Sequence, residues 1–66
     1  MAKKRTYYQR YVREGRRRTI YCCKQFSNVY WGEARKLVRD YSEKSGMRRK
    51  GQLRRGECPS EYRQCR

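Results

Sequence analysis

Tyr7-Tyr8-Gln9-Arg10-Tyr11-Val12-Arg13-Glu14-Gly15-Arg16-Arg17-Arg18-Thr19-Ile20-Tyr21-Cys22-Cys23-Lys24-Gln25-Phe26 is the stretch on which the fold turns. Residues 6–12 and 19–26 are rich in β-branched and aromatic side chains. Between them, Arg13-Glu14-Gly15-Arg16 offers a glycine where a turn would need positive φ. The pattern predicts a β-hairpin. On the first strand Tyr8, Arg10 and Val12 share one face, with Tyr7, Gln9 and Tyr11 opposite. On the second, Ile20, Cys22, Lys24 and Phe26 lie opposite Thr19, Tyr21, Cys23 and Gln25. Burying Arg10 or Lys24 unpaired would cost more than leaving Ile20 partly exposed. That comparison turns Tyr7, Tyr11, Tyr21 and Cys23 inward, with Arg10 and Lys24 on the exposed sheet face.

Ser27-Asn28 then interrupts the strand pattern with two residues favoured at turns and helix N-caps. From Glu33 the period changes. Ala34, Leu37, Val38 and Tyr41 fall at i, i+3, i+4 and i+7, Trp31 extends the stripe backwards, and Gly46 follows as a natural stop after Ser45. Val29-Tyr30-Trp31 fits either a short third strand or a first helical turn. Arg35, Lys36, Arg39, Asp40, Glu43 and Lys44 lie off the stripe, with the opposite charges Lys36/Asp40, Arg39/Glu43 and Asp40/Lys44 at i, i+4 spacing. The expected class is α+β, a small antiparallel hairpin or three-stranded sheet packed by one C-terminal amphipathic helix and followed by a basic tail. In domain terms, residues 1–5 are a basic arm, 6–45 a single small domain and 46–66 a basic, Cys-containing tail.

The chain has 20 Lys and Arg against six Asp and Glu, a net charge of +14 over 66 residues. Such a surface repels itself unless something negative lies against it, and a phosphate backbone is the commonest such partner. The cations come in blocks, Lys3-Lys4-Arg5, Arg16-Arg17-Arg18, Arg48-Arg49-Lys50 and Arg54-Arg55, interleaved with seven Tyr, one Trp and one Phe. Rings beside cations suit bases and groove edges. The same rings also serve a small domain as core, because each buries a large area. A chain this short buries only about 60 % of its unfolded surface, so its stability margin is thin. The tail repeats a basic cluster followed by Gly and reads as solvated chain that orders on a phosphate surface. Within it, Cys58-Pro59-Ser60-Glu61-Tyr62 suits one short helical turn.

Four cysteines, Cys22, Cys23, Cys58 and Cys65, lack the paired Cys-x2-4-Cys spacing of structural zinc, and neighbours on a strand point to opposite faces. No metal and no cofactor are expected. A disulfide framework needs an oxidising compartment, and Met1-Ala2-Lys3-Lys4-Arg5 has no following apolar stretch. The expectation is therefore a cytoplasmic protein with reduced thiols and no membrane association. No His, no nucleophile beside a visible base and no phosphate-cradling glycine loop is present, so no enzyme activity is expected.

The run from Tyr7 to Arg18, then Phe26, then Glu33-Ala34-Arg35, resembles the small DNA-binding modules at the N-termini of phage and transposon integrases, which are similar to the plant ethylene-response-factor domain. Those modules show an aromatic strand, a Gly- and Lys/Arg-rich turn, a second strand and a helix opening with Glu-Ala. Their sheet enters the major groove, so the resemblance implies reading or phosphate roles for Arg10, Arg13, Arg17 and Lys24. It covers about 40 residues; this chain lacks a catalytic domain and adds the basic tail.

The sequence reading is thus a small basic nucleic-acid-binding protein, DNA or RNA, of the kind made by phages, viruses or mobile elements or carried in a ribonucleoprotein. Its expected site comprises Arg10, Arg13, Arg16, Arg17, Arg18, Lys24, Arg48, Arg49, Lys50, Arg54 and Arg55. The alternative is a small basic inhibitor or adaptor that docks on an acidic host protein. A third reading is a secreted cationic disulfide peptide. The plainer reading of each cation block is a solvated charged surface.

Overall fold

Aromatic and β-branched residues favour strands on both sides of the turn at Gly15, and the computed structural model, which describes residues 3–65, shows where the rest of the chain joins them. The order is β1 (Arg5–Glu14), β2 (Thr19–Val29), α1 (Trp31–Ser45) and β3 (Arg48–Arg55). The three strands form an antiparallel sheet in the order β2-β1-β3, with α1 against one side. Strands of 10 and 11 residues make the molecule long, 46 × 25 × 18 Å. Met1, Ala2 and Arg66, parts of the expected arm and tail, lie outside the described residues.

The helix is central in the chain, not C-terminal, because residues 48–55 of the expected tail return as β3 and pair with the free edge of β1. A two-stranded hairpin is marginal on its own, and a third strand supplies both backbone bonds and breadth for the helix to cover. Only Leu53 of β3 packs on the core, so a strand that is mostly Arg and Lys reads as solvated tail. The chain reaches β3 through Gly46, whose φ of 73° is the left-handed conformation that ends α1, its N–H bonded to the Ser42 carbonyl at 3.0 Å. Met47 then plugs into the core.

The core on the helix side of the sheet is Tyr11, Cys22, Val38 and Met47, with Phe26, Tyr41, Leu53 and Cys65 packed around it. Tyr7 and Tyr11 point inward as expected, and Gln9 between them is 1 % exposed. The Gln9 amide donates to the Gly51 carbonyl at 3.1 Å and so pins a register shift where β3 carries extra residues opposite β1. On β2 the expected orientation is inverted. Tyr11 faces Cys22 across the strand pair, which puts Cys22 and Lys24 on the helix side and leaves Tyr21 47 % exposed on the other. Lys24 avoids burying a bare charge because its ammonium lies 5.3 Å from the centre of the Tyr41 ring. Ser27 and Asn28 do not end the strand. β2 runs on to Val29, with Asn28 at φ 60° beside an irregularity in the pairing.

The cysteines are not free thiols. Cys22 is bonded to Cys65 and Cys23 to Cys58. The opposed faces of adjacent strand residues, which argue against a shared metal, explain this pattern. After β3 the chain crosses the open side of the sheet, where Cys58 meets Cys23 and its N–H bonds the Gln25 side chain at 3.2 Å. It makes a turn closed by the Tyr62 N–H on the Pro59 carbonyl, then runs parallel to the outer edge of β2, where Cys23 bonds to residues 63 and 65. Cys65 thereby reaches Cys22 on the helix side.

Candidate nucleic-acid interface

The hairpin turn builds the densest cluster of cations. Gly15 N–H bonds the Arg18 carbonyl at 2.9 Å, and the four-residue turn leaves Arg16, Arg17 and Arg18 exposed. Arg13 precedes the turn on β1. Arg48 opens β3 opposite Val12, so it joins the same end of the molecule, where its guanidinium meets Glu14 Oε1 at 2.6 Å. Both partners are exposed, and a pair of that kind contributes little to stability. It is the one ion pair among the described residues, so the carboxylates of Glu33, Asp40, Glu43, Glu57 and Glu61 leave the Lys and Arg side chains unneutralised.

The expected site does not form a single face. Arg13, Arg16, Arg17, Arg18 and Arg48 gather at the hairpin end. Lys50 and Arg54 lie on the open side of the sheet by their pairing with Arg10 and Tyr8, and the Lys50 ammonium stands 4.2 Å from the centre of the Tyr21 ring. Arg49 and Arg55, opposite Tyr11 and Tyr7, belong to the helix side with Lys24. Arg10, expected on an exposed face, is instead half-buried beneath the C-terminal segment. Its Nη1 donates to the Tyr62 hydroxyl at 3.3 Å, its Nε is buried without a partner, and a Cβ on Gly51 would come within 2.7 Å of its Nη2. Arg10 therefore helps seat the C-terminal segment and is not open to a large ligand.

Three of the cations left out of the expected site come together in the structure. Arg35, Lys36 and Arg39 of α1 face Arg49 across a groove of about 580 Å3 between the helix and β3. No carboxylate lines it. Their placement beside the apolar stripe was visible in the sequence, but the wall they face exists only because residues 48–55 form a strand.

Below the groove, Tyr11 is fully buried and its hydroxyl donates to the Val38 carbonyl at 3.0 Å. Desolvation pushes its phenol well above the ordinary tyrosine range, neighbouring Tyr41 adds to the rise, and Arg49 opposes it. Among the described residues no three His, Cys, Asp or Glu side chains come together as a metal cluster, and no helix is long and apolar enough to cross a membrane. No protein-family model matches the chain, and no curated protein or solved structure matches it.

Proposed function

We propose that the protein binds nucleic acid through the phosphate backbone, with the hairpin end as its principal contact. The observation that carries this reading is the convergence of Arg13, Arg16, Arg17, Arg18 and Arg48 at one end of a long molecule with a single carboxylate partner among them. Exposed guanidinium groups on a rigid hairpin suit phosphate oxygens, which they contact in paired hydrogen bonds. The test is salt dependence. Neutralising about four to eight phosphates gives a slope of log K against log salt of about −4 to −7 on duplex DNA. Tight binding with a slope near zero would overturn the reading.

The two disulfides favour a second reading, a stapled cationic domain that acts where thiols stay oxidised and docks on an acidic protein or another anionic surface. Capture from nuclease-treated lysate under non-reducing conditions separates the two. A protein partner retained at full yield after nuclease digestion supports the second reading, and loss of all bound material supports the first.

A further inference from the structure

We propose that the groove between α1 and β3 is a track for single-stranded nucleic acid, in which a base stacks on Trp31 while phosphates run along Arg35, Arg39 and Arg49. The proposal deepens the nucleic-acid reading and rests on it. Trp31, Arg35 and Arg39 recur at every fourth residue of α1, so they stand in a row about 6 Å apart along the helix axis. Ala34 and Val38, beside that row, are buried and fix the helix so that the row borders the groove. Arg49 forms the opposite wall, and with Lys36 the groove holds four cations and no acid. Trp31 is held by an edge-on contact with Tyr7, ring centres 5.4 Å apart, yet 48 % of its surface is exposed. A fixed, half-exposed indole at the end of a cationic row is a stacking platform of the kind used on single strands. In a duplex the bases are already stacked on each other, so Trp31 would reach one only by prying the helix apart.

Gly32 adds a second observation. It is the second residue of α1, and a Cβ there would meet nothing within 4 Å. No packing within the chain calls for a glycine at this position. Its missing side chain keeps the groove open beside Trp31.

Trp31 is the only tryptophan, so emission excited beyond the tyrosine absorption band reports the surroundings of this one ring. The oxidised protein is titrated at low salt with an unstructured single-stranded oligonucleotide, as DNA and as RNA, and with a blunt duplex of the same length. At least one single strand should change Trp31 emission and displace the duplex at equal nucleotide concentration. Trp31→Leu, read by anisotropy of a labelled strand, should weaken single-strand binding by about five- to a hundredfold, the range of one lost stacking contact. Gly32→Leu, which changes no charge and projects into open space, should weaken it similarly with circular dichroism unchanged. The proposal fails if Trp31 emission stays constant at saturation or if Gly32→Leu binds single strands like the parent. Salt-dependent duplex binding in that case leaves the phosphate reading standing, whereas absence of binding to any of the three ligands removes both.

Discussion

Tyr11 carries a hydroxyl into the middle of the molecule and gives it one acceptor, the Val38 carbonyl at 3.0 Å. Tyr11→Phe removes that bond and should cost about 1 kcal/mol by urea unfolding at neutral pH. Because burial raises the phenol pKa above its ordinary 10.0, the folded chain keeps a proton that the unfolded chain releases in strong alkali. The Tyr11 contribution is therefore fully present below about pH 10 and is lost above it, by up to about 1.4 kcal/mol per pH unit. Comparing parent and Tyr11→Phe between about pH 9 and 11.5 checks the sign. The gap between their stabilities should close as pH rises, and parallel curves would mean the phenol is not shielded. Arg10 shows a different solution to burying a polar group. Its head is held by the Tyr62 hydroxyl and ring rather than by a carboxylate, so its role is to fasten one segment to another.

At the level of elements, α1 presents Ala34 and Val38 squarely to the sheet, while Leu37 and Tyr41 flank the contact and Trp31 overhangs it. Val38→Ala should cost about 1.5–3 kcal/mol, Leu37→Ala less, and Lys36→Ala under about 0.5 kcal/mol in the same denaturant series. Equal losses at positions 37 and 38 would mean that the helix is rotated from the position described. The stripe itself was legible, as were the hairpin and the stop at Gly46, because each depends on a local period or a local backbone need; Gly15 does sit in the turn, but without the positive φ expected of it. The orientation of β2 was not. Both faces offer bulky apolar or aromatic side chains and a cysteine, Ile20, Cys22 and Phe26 against Tyr21 and Cys23, and the choice is made by Cys65 and Met47, which approach from distant parts of the chain. β3 was hidden because an edge strand with one inward apolar residue has the composition of a solvated tail. That strand carries its own prediction. Changing Arg48, Arg49, Lys50, Arg54 and Arg55 to Gln should leave circular dichroism intact, since Leu53 and the backbone bonds to β1 remain. The salt slope of nucleic-acid binding should become shallower by up to about 4. Loss of the folded spectrum would show that the charges, not the backbone pairing, hold the strand.

For the whole molecule the covalent links matter most. The bridges join residues 43 and 35 apart in sequence, and on the chain-entropy model each contributes about 4 kcal/mol, with overlap between the two loops reducing the sum. Without reductant a thiol reagent should find no reactive cysteine in the unfolded protein, and reduction should lower the unfolding midpoint sharply. Four titratable thiols in freshly isolated, unreduced protein would contradict the pairing. The route of the C-terminal segment around β2 has one more consequence. Open-ended stacking of copies through their sheets requires each copy to offer two unpaired margins. Here residues 63–65 occupy the middle of one margin, bonded to Cys23 on both its N–H and its carbonyl, and the disulfides prevent that segment from peeling away. The remaining margin, β3, bristles with like charges. Even if two copies overcame that repulsion, the interrupted margin of β2 offers a third copy no continuous edge, so the oxidised chain is a poor link in a sheet polymer.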